Sequence, residues 1–190
     1  MNYRNLAASL IIPRLDPEQW ANEQYRNTIF SLVKEGILGF CLFKGKQESV
    51  KHLIGELQNY SNHSLLFCGD FENGLGMRFD ESLDYPHAAA IANTNNLENA
   101  EQIGYSIALQ MNSVGIHWNF APVTDVNNNP KNPIINIRSF GSDPDVVSQY
   151  IERFIIGTQS AGVVACSKHF PGHGNVDIDS HLHLPSISSS

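Results

Sequence analysis

The chain has 190 residues, 42% of them apolar, and its 19 acidic and 12 basic residues give a formal net charge of −7. This length and apolar content suffice for one buried core but exclude two large domains, so we expect residues 1–190 to belong to a single domain. The acidic balance offers no attraction to polyanions and excludes nucleic acid as an expected partner.

At the N terminus, a short apolar stretch ends at Pro13 and Arg14. It is too short for a signal peptide and lacks a small-residue cleavage site, so we expect a cytoplasmic protein. No run in the sequence approaches the roughly 20 apolar residues of a membrane helix, and we therefore expect no membrane span.

Short apolar runs alternate with stretches of helical periodicity along the chain. Residues 10–12 predict a short first strand, and Asp16 before Pro17 predicts a helix that begins there and continues to about Glu35. The later strands are predicted at 36–43, 64–69, 116–123 and 162–167, and the later helices at 47–60, 97–114 and 144–160.

About five strand–helix units of this kind predict an α/β fold with a parallel sheet, either doubly wound or closed into a barrel. Two features favour a (β/α)8 barrel of the TIM type. No glycine-rich nucleotide-binding motif follows the first strand, and the polar motifs follow several different strands, whose loops meet at one face of a barrel. Because such a barrel takes about 250 residues, we expect an incomplete one, with the rest lost by truncation or supplied by a partner.

The first polar motif runs from Asp70 to Arg78 and directly follows a predicted strand. A carboxylate accepts hydrogen bonds from two neighbouring sugar hydroxyls, and an arginine eight residues later can return across the same pocket with a fork of donors. In the second motif, Arg138 is a candidate ligand for a hydroxyl or carboxylate. The alternatives are a solvated loop and a surface salt bridge. Asp125 is predicted to fix its own loop through backbone amides.

The densest polar cluster follows the last predicted strand. Lys168 and His169 leave that strand, and a Pro-Gly turn bends the chain back over the sheet. Asp179 lies two residues before His181, so its carboxylate can bind one ring nitrogen and leave the other to move a proton near neutral pH. A capping histidine with a surface lysine, and a polar surface loop, are the alternatives.

Together the segments DFENGLGMR, APVTDV, NIRSFG and KHFPGHGNVDIDSH resemble glycoside hydrolase family 3, specifically its β-N-acetylhexosaminidase branch. They occur in the family's order and cover most of the chain from about residue 64. The most specific is KHFPGHG followed by DSH, because a β-glucosidase of the family is expected to keep Lys-His but lack the Asp-x-His loop. One departure is the loop after Asp70, which is often Gln-Glu-Gly-Gly in the family and is Phe-Glu-Asn-Gly here.

The resemblance implies a role for each matched residue. His181 is implied to be the general acid/base, and Asp179 its partner. The residues implied to hold the non-reducing sugar are Asp70, Arg78, Arg138, Lys168 and His169. The family's nucleophile is an aspartate on a later strand, beyond residue 190, so we expect the chain alone to be inactive.

The reaction that the resemblance implies is the release of terminal β-linked N-acetylhexosamine by retaining double displacement. The expected partner is a carbohydrate substrate that contains N-acetylglucosamine, such as a cell-wall fragment during peptidoglycan recycling. No cofactor and no metal are expected.

Two other functions remain open on the sequence alone. The histidines and aspartates of residues 169–183 are close enough in sequence for a metal-dependent hydrolase, although Pro171 and Gly172 prevent a helical pair of histidine ligands. A non-catalytic sugar-binding fragment is the second alternative, because no nucleophile is identified in the chain.

Overall fold

The computed structural model of the protein describes residues 3–186, which form an α/β structure. Its helices are α1 (Tyr3–Ala8), α2 (Glu23–Glu35), α3 (Gln47–Tyr60), α4 (Ala88–Ala92), α5 (Leu97–Val114) and α6 (Pro144–Ser160). Its strands are β1 (Arg14–Leu15), β2 (Gly39–Leu42), β3 (Gly45–Lys46), β4 (Leu66–Gly69), β5 (Phe79–Asp80), β6 (Trp118–Asn119) and β7 (Val164–Ala165). Three short 3-10 turns lie at Pro17–Gln19, Leu75–Met77 and Asn136–Arg138.

Five strands form the main sheet in the order β1-β2-β4-β6-β7, and every neighbouring pair is parallel. The predicted parallel α/β fold is therefore confirmed, with its strands adjacent in chain order as in one arc of a barrel. Within residues 3–186 the barrel is not closed, because β1 and β7 each have one neighbour in this sheet. The small strands β3 and β5 pair separately, and neither was predicted from the sequence.

The first strand lies later than predicted. The chain does run beside β2 from the expected position, since Leu38 N–H donates to the carbonyl of Ile11 and Cys41 N–H donates to the carbonyl of Pro13. Pro13 has no N–H to return a bond, so the regular ladder begins only at Arg14.

The helix predicted from Pro17 begins instead at Glu23. Asn22 is the N-cap, because its side chain accepts hydrogen bonds from the N–H groups of Gln24 and Tyr25. The carboxylate of Asp16 pairs with Arg14 at 2.7 Å and caps nothing. By contrast, the helices predicted at 47–60, 97–114 and 144–160 have the predicted bounds.

The core lies between the sheet and the long helices. Phe40 on β2 and Phe67 on β4 are fully buried, and their rings stack with centroids 6.2 Å apart. Close packing of α5 on α6 depends on Gly157, where an added Cβ would lie 2.0 Å from the carbonyl oxygen of Glu101. Among the helices of residues 3–186, none has both the length and the apolar character to cross a membrane.

Candidate active site

The carboxyl ends of the main strands face a cavity of about 600 Å³. Asp70 directly follows β4, and Lys168 comes shortly after β7, so two distant parts of the sequence meet at one edge of the parallel sheet. The charged and imidazole side chains that line the cavity are Asp70, Glu72, Arg78, Arg138, Lys168, His169, His173 and His181.

Two carboxylates and two cations form what we call the ion cluster: Asp70, Glu72, Arg138 and Lys168. Lys168 Nζ lies 2.8 Å from Asp70 Oδ1 and 2.5 Å from Glu72 Oε1. The guanidinium of Arg138 donates a hydrogen bond to each carboxylate oxygen of Glu72, from Nη2 to Oε1 at 2.8 Å and from Nε to Oε2 at 2.9 Å. A bidentate pair of this kind fixes orientation as well as distance, so the cluster presents its remaining donors and acceptors in a defined pattern.

Burial and charge act in opposite directions on Glu72. Its side chain is only 10% exposed, and burial alone would raise the pKa of the carboxyl. The hydrogen bond from Arg138 and the charge of Lys168 outweigh burial and lower the pKa to about 2. Glu72 is therefore a carboxylate at every physiological pH, and it holds both cations at the cavity wall.

The loop after β4 is fixed from two sides. Arg78 donates to the carboxylate of Asp70 at 2.8 Å and to its main-chain carbonyl at 3.3 Å, so the arginine returns across the loop as the sequence predicts. From β6, the buried amide of Asn119 accepts from the N–H of Phe71 and donates to its carbonyl, each at 3.1 Å. These bonds hold Asp70 at the end of its strand.

Asp125 holds the turn that follows Lys168. One carboxylate oxygen accepts from the N–H of His169 at 3.2 Å and lies 2.7 Å from its Nδ1, and the other accepts from the N–H of His173. Burial raises the pKa of Asp125, but these hydrogen bonds outweigh it and the pKa falls below its usual value. Asp125 therefore fixes a loop through backbone amides, and it also orients the His169 ring.

Asp179 and His181 form a dyad at the rim of the cavity. Asp179 Oδ1 lies 2.7 Å from Nδ1 of His181 and also accepts from the His181 N–H at 2.8 Å. Both bonds stabilise the carboxylate and lower its pKa, the backbone bond most. Because Nδ1 faces the carboxylate, Nε2 is the atom of His181 that is left to exchange a proton. The imidazole side chain is 78% exposed, so that nitrogen is accessible.

The structure thus brings together all seven residues selected from the sequence, Asp179 through its bond to His181. Sequence reasoning did not assign Glu72 or His173 to the sugar site, and it counted His173 only among the candidate metal ligands of residues 169–183. Glu72 was mentioned only as part of the family loop, where it matches the family's glutamate, although a second carboxylate two residues after Asp70 at a strand end was a usable signal. His173 had none, since a histidine after a Pro-Gly turn is ordinary in a surface loop and its burial depends on distant residues.

The histidines and aspartates of residues 169–183 do not converge on one point. His169 pairs with Asp125, whereas His181 pairs with Asp179 in a different loop. Within residues 3–186, no group of three or more histidine, cysteine or acidic side chains is placed to hold a metal ion. The described part of the chain therefore offers no ligand set for the metal-dependent alternative.

Most of the chain is similar to proteins of one known family. The family model described as the glycosyl hydrolase family 3 N-terminal domain matches residues 15–190. A β-hexosaminidase from Psychromonas ingrahamii is 36% identical over 148 residues, which are 75% of this chain and 43% of that protein. The chain thus spans less than half the length of this relative.

Two solved structures have the same fold. A family 3 β-N-acetylglucosaminidase from Paenibacillus sp. aligns with 98% of this chain and 36% of its own, at a TM-score of 0.84 and 29% identity. NagZ from Neisseria gonorrhoeae, solved in complex with N-trifluoroacetyl-D-glucosamine, aligns with 94% of this chain and 55% of its own, at a TM-score of 0.80 and 27% identity.

Proposed function

Since the chain belongs to glycosyl hydrolase family 3, we propose that it carries the sugar-binding and proton-transfer half of a retaining β-N-acetylhexosaminidase. The substrate class is a glycan with a terminal β-linked N-acetylglucosamine, such as a cell-wall fragment. The nucleophilic aspartate is assigned to a later strand of the barrel, beyond residue 190. The observation that supports this most directly is the ion cluster and the Asp179–His181 dyad beside one cavity.

The ion cluster suits a neutral sugar. Vicinal hydroxyl groups donate and accept at the same time, and Asp70 and Lys168 offer an acceptor beside a donor, 2.8 Å apart. Each charge is compensated within the protein, so the site does not require a charged ligand. A cavity of about 600 Å³ lies in the usual range for small-molecule sites. We assign Asp70, Arg78, Arg138, Lys168 and His169 to binding of the non-reducing sugar.

The dyad is assigned to proton transfer. In the first step the nucleophile attacks the anomeric carbon, the bond to the leaving oxygen breaks, and His181 Nε2 donates its proton to that oxygen. In the second step water attacks the anomeric carbon, the bond to the nucleophilic aspartate breaks and frees its carboxylate, and the now neutral Nε2 takes the proton from water. Asp179 keeps the other ring nitrogen oriented and stabilises the imidazolium in both steps.

The relatives support an N-acetylated sugar as the ligand. The Psychromonas protein is named a β-hexosaminidase, and the Neisseria structure holds an N-acyl glucosamine. For this chain the simplest probe is therefore N-acetylglucosamine itself, with glucose as the comparison sugar.

A binding measurement on the 190-residue chain tests the sugar-holding half of the proposal. N-acetylglucosamine is titrated by NMR into the wild type, Asp70→Ala, and the control Asp177→Ala, which changes an exposed acid of the neighbouring loop. We expect Asp70→Ala to weaken binding by about tenfold or more, because hydrogen bonds to a charged group contribute about 1.5–3 kcal/mol, and the control to bind as the wild type does. Equal binding by Asp70→Ala, or no binding by the wild type, would contradict the assignment.

A further inference from the structure

His173 is a buried imidazole that the proposed mechanism leaves unused. It is 8% exposed and lines the cavity, yet among residues 3–186 neither of its ring nitrogens has a hydrogen-bond partner. A buried polar group without a partner costs free energy, so native proteins place one where it has a use.

The backbone at His173 is held firmly. Its N–H donates to the carboxylate of Asp125, and its carbonyl accepts from the amide of Asn132 at 2.6 Å. The next residue, Gly174, lies so close to Val126 that an added Cβ would be 1.9 Å from the Val126 carbonyl oxygen. The ring therefore projects from a fixed point on the wall of the cavity.

Asp179 has a carboxylate oxygen that is free to accept a hydrogen bond. Its Oδ1 accepts both bonds from His181, whereas its Oδ2 has no hydrogen-bond partner in the described part of the chain. The hydrogen bonds of the segment 177–183, which we call the dyad loop, are all internal among residues 3–186. The dyad loop can thus shift without breaking a bond to the rest of the fold.

The free donor lies on the same cavity as the loop that carries the free acceptor. His173 lines that cavity together with Ser180 and His181, the two residues that follow Asp179. Hydrogen bonds from His181 lower the pKa of the Asp179 carboxyl, and the imidazole of His173 adds to that lowering across the intervening gap. The ring centroid of His169 is 6.0 Å from that of His173, and the carboxylate of Asp125 lies at the His173 backbone. Both oxygens are already hydrogen-bonded in Asp125 and in the cavity carboxylates Asp70 and Glu72, which leaves Asp179 as the available acceptor.

We propose that His173 is a positioning residue: when the dyad loop closes on the cavity, its imidazole N–H donates to Oδ2 of Asp179 and fixes the carboxylate that orients His181. The arrangement is then imidazole, carboxylate, imidazole, with one oxygen for each ring. This role rests on the proposed function, since it acts through the proton-transfer dyad. A neutral His173 suffices, because one of its two nitrogens always carries a proton.

The proposed hydrogen bond between His173 and Asp179 can be tested on the 190-residue chain without any turnover. Imidazole nitrogen NMR spectra at one fixed pH report the hydrogen bonding of the His173 ring in the wild type, in Asp179→Asn, and in the matched control Asp177→Asn, each with and without N-acetylglucosamine. Because Asp179→Asn removes the carboxylate that would accept the imidazole N–H, it is expected to shift the His173 ring nitrogen resonances, and the control is expected to shift them by much less. No change in Asp179→Asn in both conditions, or equal changes in the two variants, would overturn the proposal.

A kinetic test uses the extended enzyme, by which we mean this chain followed by the later strands of its family barrel. We expect His173→Leu to lower kcat about tenfold with little change in KM, because it removes one hydrogen bond to a charged group. His173→Gln keeps an N–H donor and should recover most of the loss, and the control His183→Leu, in an exposed part of the dyad loop, should behave as the wild type.

Rescue by glutamine is the result that a merely structural role would not give. Equal kcat in His173→Leu and the wild type would overturn the proposal. An extended enzyme with no turnover at all would contradict the proposed function. The NMR comparison of the variants would still decide the role of His173.

Discussion

Replacing Glu72 by glutamine tests the electrostatics of the ion cluster. The lowering of the pKa from an ordinary 4.5 to about 2 corresponds to about 3 kcal/mol, at about 1.4 kcal/mol per pH unit. For a carboxyl whose pKa is depressed by folding, this stability is fully present above pH 4.5 and is lost as the pH falls to about 2. Glu72→Gln is therefore expected to lower the free energy of unfolding by about 3 kcal/mol more at pH 7 than at pH 2.

Urea denaturation of both chains at pH 7, 4 and 2 measures this difference. The control is Glu81→Gln, which removes an exposed ion pair with Lys46 and is expected to change stability by less than about 0.5 kcal/mol at every pH. The reasoning is refuted if Glu72→Gln costs the same at pH 7 and pH 2, because the cation pairing would then contribute nothing beyond the shape of the side chain.

Three further predictions concern activity. The 190-residue chain alone should show no turnover of aryl N-acetyl-β-glucosaminides, whereas the extended enzyme should turn over; clear activity of the purified fragment would refute this division. In the extended enzyme, Asp70→Ala should raise KM and lower kcat together, because hydrogen bonds to the sugar hydroxyls form in the ground state and strengthen in the transition state; a change in only one constant would contradict it. Asp179→Asn should lower kcat by a smaller factor than His181→Ala, since Asp179 orients the imidazole without transferring the proton; an equal or larger loss would contradict it.

Local patterns predicted the repeating elements well. The bounds of α3, α5 and α6 follow from apolar periodicity between clear turn residues, and all five main strands lie in or beside predicted apolar runs. Errors occurred where a side-chain contact decided the outcome. Asp16 was expected to cap a helix, but Arg14 takes its carboxylate, and the helix begins instead at the cap that Asn22 provides.

The site also contains residues that local sequence predicts and contacts that it does not. Residues at strand ends could be selected because parallel strands deliver their loops to one face, and this principle brought Asp70 and Lys168 together across 98 positions of sequence. The pairing of Arg138 with Glu72 could not be read from the sequence, because it depends on how far two loops reach across the cavity. The burial of His173 depends on Asp125 and Asn132, which are more than 40 positions away.

The most direct test of the central claim is the leaving-group dependence of the extended enzyme with and without His181. Rates are measured on a series of aryl N-acetyl-β-glucosaminides whose leaving phenols differ in pKa. General acid groups contribute about 10² to 10⁴ in rate, so His181→Ala should lose a large factor on poor leaving groups and much less on activated ones, which depart without a proton. An equal loss across the whole series would show that His181 is not the proton donor and would assign the dyad loop to substrate binding.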